Sequence, residues 1–251
     1  MANREPDNEQ LFLDRVRVAL GRDKAAPADP KLFASRPARE LETLLERADR
    51  DQTARLELLG LLKATATPLN LHVHEAATLE AAGRSIADLA RSSDTEWGGD
   101  KRIVTHADPL LEGLGLAEKL HDDGIFLDVA QLEPGNDELT DKHRLRGLAE
   151  AAFMGVTGAD WCAADCAAIA LLTGPGRGRA VSLVPSIHVA VLPLNRLLAD
   201  LPELYAQLER LDRLPTSFNF ISGPSKTADI EAQLVHGAHG PREMHLFVVT
   251  G

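Results

Sequence analysis

Apolar residues at Phe12, Val16, Ala19 and Leu20 recur at the spacing of one helical face, and the run stops at Gly21 before a proline-rich stretch, Ala25 to Pro30. This predicts a helical arm followed by a linker. From Ala38 to Ala66 the set Leu41, Leu44, Leu45 and Ala48, then Leu58, Leu59 and Leu62, predicts two helices with a polar break at Asp49 to Gln52. Thereafter strand-like and helix-like runs alternate: Leu69 to Val73 with Leu79 to Ala90, Arg102 to Thr105 with Pro109 to Leu120, and Ile125 to Ala130 with Thr140 to Met154. Such alternation predicts a parallel sheet covered by helices. Asp108 before Pro109 marks a helix start, because the carboxylate accepts an orphan amide hydrogen bond and proline has no amide to leave unpaired.

Beyond Gly155 small residues lead into Ala167 to Leu172, the turn Gly174-Pro175-Gly176-Arg177-Gly178, Ala180 to Val184 and Ile187 to Leu192. Strands this close together predict an antiparallel or hairpin element added to the sheet. Leu194 to Leu211 reads as a long helix, Ser217 to Ile221 and Met244 to Val249 as strands, and Thr227 to Val235 as a helix. The expected fold class is α/β, with a mixed, mainly parallel sheet flanked by helices and an N-terminal helical arm. Residues 1–32 form the arm and linker, and residues 33–251 form one domain.

Composition narrows the function. Lys and Arg total 27 against 38 Asp and Glu, a net charge of −11 that disfavours broad attraction to nucleic acid or anionic lipid. Apolar runs such as Cys166 to Leu172 fall far short of the roughly 20 residues of a membrane helix. The polar start MANREPDNEQ lacks the basic and apolar blocks of a secretory signal, so cytoplasm is the expected compartment. Cys162 and Cys166 are the only cysteines, neither a disulfide framework nor the roughly four thiolates of an iron–sulfur cluster. No cofactor is expected in this chain, and no metal.

Four segments carry a resemblance: Gly155-Val156-Thr157-Gly158-Ala159-Asp160; Arg179-Ala180-Val181-Ser182-Leu183-Val184-Pro185-Ser186-Ile187-His188; Ser222-Gly223-Pro224-Ser225-Lys226-Thr227-Ala228-Asp229-Ile230-Glu231; and His236-Gly237-Ala238-His239-Gly240-Pro241-Arg242-Glu243. In order and spacing they resemble the LUD-domain family, specifically the lactate-utilisation protein C group. The resemblance implies a sheet related to the sugar-phosphate isomerase, CoA-transferase and formyltetrahydrofolate cyclo-ligase-like folds. It also implies a role in bacterial L-lactate oxidation to pyruvate, with iron–sulfur clusters carried by partner proteins. The pattern departs at Asp165-Cys166-Ala167, where members usually have a carboxylate, a hydroxyl residue and glycine. The same fold class also accommodates an independent transferase or cyclo-ligase-like enzyme acting on a phosphate, thioester or carboxylate.

The candidate site gathers distant residues. His239 in its glycine-rich turn suits a base or a donor to a carboxylate, and equally a turn-locking side chain. Asp165 and Asp160 among alanines suit acid–base or binding roles, or accept backbone hydrogens in a turn. His188 serves as a catalytic candidate or makes a structural hydrogen bond. Thr157, Ser222, Ser225 and Thr227 are the ligand-binding candidates, the serine-rich loop offering amides to a small carboxylate or phosphate unless Ser225 or Thr227 merely caps a helix. His72 and His74 share a strand face, and His106 is the candidate to join them from a neighbouring strand, although zinc there lacks a specified geometry. Self-association is left open.

Overall fold

The computed structural model describes residues 7–21, 35–96, 98–228, 234–236 and 239–251. The chain divides into two units, Met1–Leu41 and Glu42–Gly251. In the first, helix α1 (Asp7–Ala19) ends at Gly21, which takes the left-handed conformation (φ 66°) that glycine adopts without steric cost. The proposed linker and the boundary at residue 32 lie outside the described residues.

Helices α2 (Ala38–Ala48) and α3 (Gln52–Ala66) form as the periodicity predicts, and the carboxylate of Asp51 caps α3 by accepting from the Ala54 amide at 2.8 Å. The larger unit then builds β1 (Leu71–Ala76), α4 (Leu79–Ser92), β2 (Arg102–His106), the short turns α5 (Pro109–Glu112) and α6 (Leu116–Lys119), β3 (Phe126–Ala130), α7 (Glu138–Ala151) and β4 (Met154–Gly158). It continues through β5 (Trp161–Ala163), β6 (Ala168–Leu172), α8 (Ala180–Leu183), β7 (Ile187–Pro193), β8 (Leu197–Leu198) and α9 (Leu201–Glu209). The last strands are β9 (Phe218–Ile221), β10 (Lys226–Ala228), β11 (Leu234–His236) and β12 (Glu243–Val249).

Six strands pair in the order β1-β12-β7-β4-β2-β3, every pair parallel. The central strands read as continuous apolar runs because both faces are covered. Ile103, Val156, Val189 and Phe247 point to one face and pack with Ile86, Leu111, Leu114 and Leu120, the side of α4 to α6. Ala190, Leu192, Leu246 and Val248 point to the other and pack with Leu59 and Leu62 of α3 and with Cys162 and Ile169. Among the described residues no helix is long and apolar enough to cross a membrane.

Five local expectations are corrected. Pro109 to Leu120 is two short helices, broken where Gly115 takes φ 60°. Ala180 to Val184 is helical; so short an apolar run has no decisive period, and here the turn lies against Gly155. Leu194 to Leu211 divides into a 3-10 turn (Leu194–Arg196), β8 and α9, because Asp200 caps a helix whose first turn holds Pro202. Residues 226–228 and 234–236 pair as antiparallel strands where the sequence pattern predicts a helix, so among the described residues no helix N-terminus backs the Ser222–Thr227 loop. The closely spaced strands also do not simply extend the main sheet: β7 joins its centre, whereas β8-β5-β6-β9 form a second sheet.

Candidate functional site

The chain leaves β2 toward β3 on one side and leaves β4 toward β7 on the other. A crevice therefore opens between the carboxyl ends of β2 and β4, the position where open α/β sheets bind ligands. Two similar tripeptides border it, His106-Ala107-Asp108 after β2 and Gly158-Ala159-Asp160 after β4. Asp108 caps α5 by accepting from the Leu110 amide at 2.9 Å. A Cβ on Gly158 would stand 2.6 Å from Asp108 Oδ2, so glycine is what admits that carboxylate.

Arg177 spans the crevice. Its Nη1 donates to Asp160 Oδ1 at 3.0 Å and its Nη2 to Asp160 Oδ2 at 2.7 Å, with a further bond from Nη2 to the Gly158 carbonyl at 3.1 Å. Asp108 Oδ2 lies 3.8 Å from Nε. The turn carrying Arg177 is anchored by the Ala107 amide, which donates to the Gly176 carbonyl at 2.9 Å, and it closes so tightly that Gly176 takes φ 71°. Asp160 also accepts from the Leu172 amide at 2.7 Å, tying the second sheet to the crevice.

Beside this cluster, His106 Nε2 donates to the Gly178 carbonyl at 3.1 Å, an assignment that follows because a carbonyl only accepts. The Nδ1 atom is then an unprotonated nitrogen with no protein partner. Burial, reinforced by Arg177, pushes this imidazole down to about 4. Along the same sheet Thr157 Oγ1 and His188 Nε2 meet at 2.9 Å in the interior, and burial pushes His188 down to about 3. All three side chains are uncharged at neutral pH. A cavity of about 350 Å3 adjoins the crevice, lined by Thr105, His106, Asp108, Leu111, Glu112 and Leu127 among others.

The sequence-derived candidates fall into separate groups. Thr157 touches His188, and Asp160 lies two residues past the end of β4. Asp165 is exposed in the β5–β6 turn, its amide bonded to the Ala199 carbonyl at 3.0 Å. The neighbouring Cys166 thiol is pushed up to about 11 by burial and by its bond to Asp165, and burial raises Cys162 further. Ser222 is exposed after β9, and the Ser225 amide donates to the Pro241 carbonyl at 2.8 Å, beside the exposed His239. That loop lies at the amino ends of β7 and β12, where the Arg242 amide donates to the Ser186 carbonyl at 2.9 Å, whereas Asp160 lies at the carboxyl end of β4. Thr227 falls in β10, and its side chain is outside the described residues.

In the sequence His106 reads only as a candidate third zinc ligand, Asp108 only as a helix cap and Arg177 only as part of a turn. Their signal was the pair of aspartates each following a strand, together with an arginine inside a turn of three glycines. Asp160 fills the Arg177 fork and Asp108 lies beside its Nε, so an anion that reaches this fork exchanges with Asp160. Replacing Arg177 by methionine leaves two poorly solvated carboxylates facing each other. A loss of about 2 kcal/mol is expected, between the values for exposed and buried pairs, in urea unfolding at neutral pH. An unchanged midpoint would remove Arg177 from its organising role.

Residues 59–249 match the model of the family described as LUD domain. A lactate utilization protein C of Halalkalibacterium halodurans is 38% identical over 145 residues, a match spanning 56% of this chain and 59% of that protein. A lactate utilization protein C of Exiguobacterium sp. is 30% identical over 238 residues, 93% of this chain and 92% of that protein. A crystal structure of a DUF162 family protein from Deinococcus radiodurans is 17% identical with a TM-score of 0.48, covering 78% of this chain and 98% of that one.

Proposed function

This chain belongs to the LUD-domain family, and from that premise we propose that it is a component of a bacterial L-lactate utilisation system, acting with iron–sulfur partner proteins in the oxidation of lactate to pyruvate. The observation that carries this reading is the near end-to-end similarity to the Exiguobacterium protein of that name. The cysteine count supports a division of labour. Oxidation of lactate removes two electrons from C2, and the two cysteines here are half of the thiolates that a cluster usually takes, so the electrons pass to the partners. The part left to this chain is binding and positioning, and the Arg177–Asp160 crevice is its working site. A small carboxylate, from substrate or from a partner's side chain, enters by taking the place of Asp160 on the guanidinium fork.

Affinity purification of the full chain from lactate-grown cells tests the partnership. Proteins carrying the visible absorption of iron–sulfur clusters are expected to co-elute with wild type, and in reduced amount with Arg177→Met. Recovery of the chain alone from cells that are actively consuming lactate would overturn the reading.

A further inference from the structure

His72 and His74 stand two apart on β1, so their side chains share one face of the sheet. The expected partner, His106, is on β2, four places from β1 in the sheet order, with β12, β7 and β4 between them. His245 takes that place. It lies on β12 directly across from His72, and Phe247 lies across from His74. The rings form a ladder, with centroids 4.9 Å apart for His72–His245, 5.3 Å for His74–His245 and 4.5 Å for His74–Phe247.

We propose that His72, His74 and His245 form a binding site for a divalent transition-metal cation of the zinc or cobalt class. Two nitrogens are already in place: His74 Nε2 and His245 Nδ1 face each other at 3.0 Å. Imidazole nitrogens bound about 2.0–2.1 Å from one tetrahedral ion stand roughly 3.3 Å apart by simple geometry, a few tenths of an ångström wider. The cation replaces the hydrogen that now bridges them, sitting to the open side of the line between the two nitrogens, and His74 keeps its remaining proton on Nδ1. Glu243 supplies a second, independent indication. The other nitrogen of His245, Nε2, is buried without a hydrogen-bond partner, and Glu243 Oε2 lies 3.7 Å away. At 3.7 Å this is not a hydrogen bond, but rotation of the partly exposed Glu243 side chain brings its carboxylate into reach of that nitrogen, the arrangement that fixes the tautomer and orientation of a metal-bound histidine.

Among the described residues no three donors already converge on one point, so the third ligand arrives by rotation of His72, whose side chain is exposed. His72 and His74 both line an open cleft of about 450 Å3 along the β1 edge, which gives the ion and its water access. Lys63, also on that cleft, is paired with Glu75.

The test is titration of the untagged full-length chain with Co2+, followed by its visible d–d absorption and by competition with Zn2+. One ion per chain is expected, with the band lost in His74→Gln and weakened in His72→Gln. Glu243→Gln is expected to reduce affinity by about 10–100-fold. Absence of the band in wild type, or its persistence at unchanged affinity in His74→Gln, would overturn the proposal. His72→Gln alters only an exposed side chain and so keeps the test valid if a buried variant fails to fold. The outcome is independent of the lactate reading.

Discussion

Gly155→Ala is expected to destabilise the protein by about 3 kcal/mol or more, the upper range for overpacking, because the intruding atom meets backbone. A Cβ at this position would stand 1.8 Å from the Val181 carbonyl oxygen and 3.0 Å from its carbon, so α8 must lift off the centre of the sheet. The consequence reaches the crevice, since α8 follows directly on the turn whose Gly176 and Gly178 carbonyls hold Ala107 and His106. Thermal unfolding should show a midpoint lowered by roughly 6–12 °C for a chain of this size. Gly147→Ala is the matched control. It lies on the exposed side of α7 with nothing within 4 Å of the added atom, and a gain of about 0.5–1 kcal/mol is expected. Equal midpoints for wild type and Gly155→Ala would show that the contact between α8 and β4 does not exist.

Mild acid is expected to unfold the protein through three histidines. Burial pushes His106 and His245 down to about 4 and His188 down to about 3, so each is neutral in the folded chain. In the unfolded chain each takes up a proton near pH 6.5. Below that pH the unfolded state binds more protons than the folded state, and stability falls as pH falls, the loss levelling off only near the folded values. At pH 5 the loss is about 2 kcal/mol for each, so about 6 kcal/mol together, comparable with the whole stability of many domains. The melting midpoint should therefore be level above pH 7 and lower by roughly 12–24 °C at pH 5. A midpoint unchanged between pH 7.5 and pH 5 would mean that these imidazoles are solvated in the folded state.

The elements that could be read from the sequence are those whose period is sustained. Helices α2 and α4 repeat an apolar face over several turns, and the runs from Arg102, Ile125 and Met244 are short, β-rich and bounded by polar breaks. What escaped was set by tertiary contact. Ala180 to Val184 suits strand or helix equally, and only the space over Gly155 decides it. The strand pairing of Lys226–Ala228 with Leu234–His236 overrides the acidic, cap-like sequence that suggested a helix. The candidate site was legible in part. Thr157 and His188 meet across β4 and β7, while Asp160, after β4, is held by Arg177. The arginine that organises the crevice lies 17 residues beyond Asp160, within a turn that by itself looks like a simple reversal. His72 and His74 could be paired from their spacing, but their partner on β12 depends on a strand order that no local pattern encodes.

Growth on L-lactate tests the central claim most directly, using a strain whose copy of this gene is deleted and then restored as wild type or as Arg177→Met, with protein levels matched. Deletion is expected to abolish growth on lactate while leaving growth on pyruvate intact, wild type to restore it, and Arg177→Met to restore it poorly. Undiminished growth of the deletion strain on lactate would contradict the assignment.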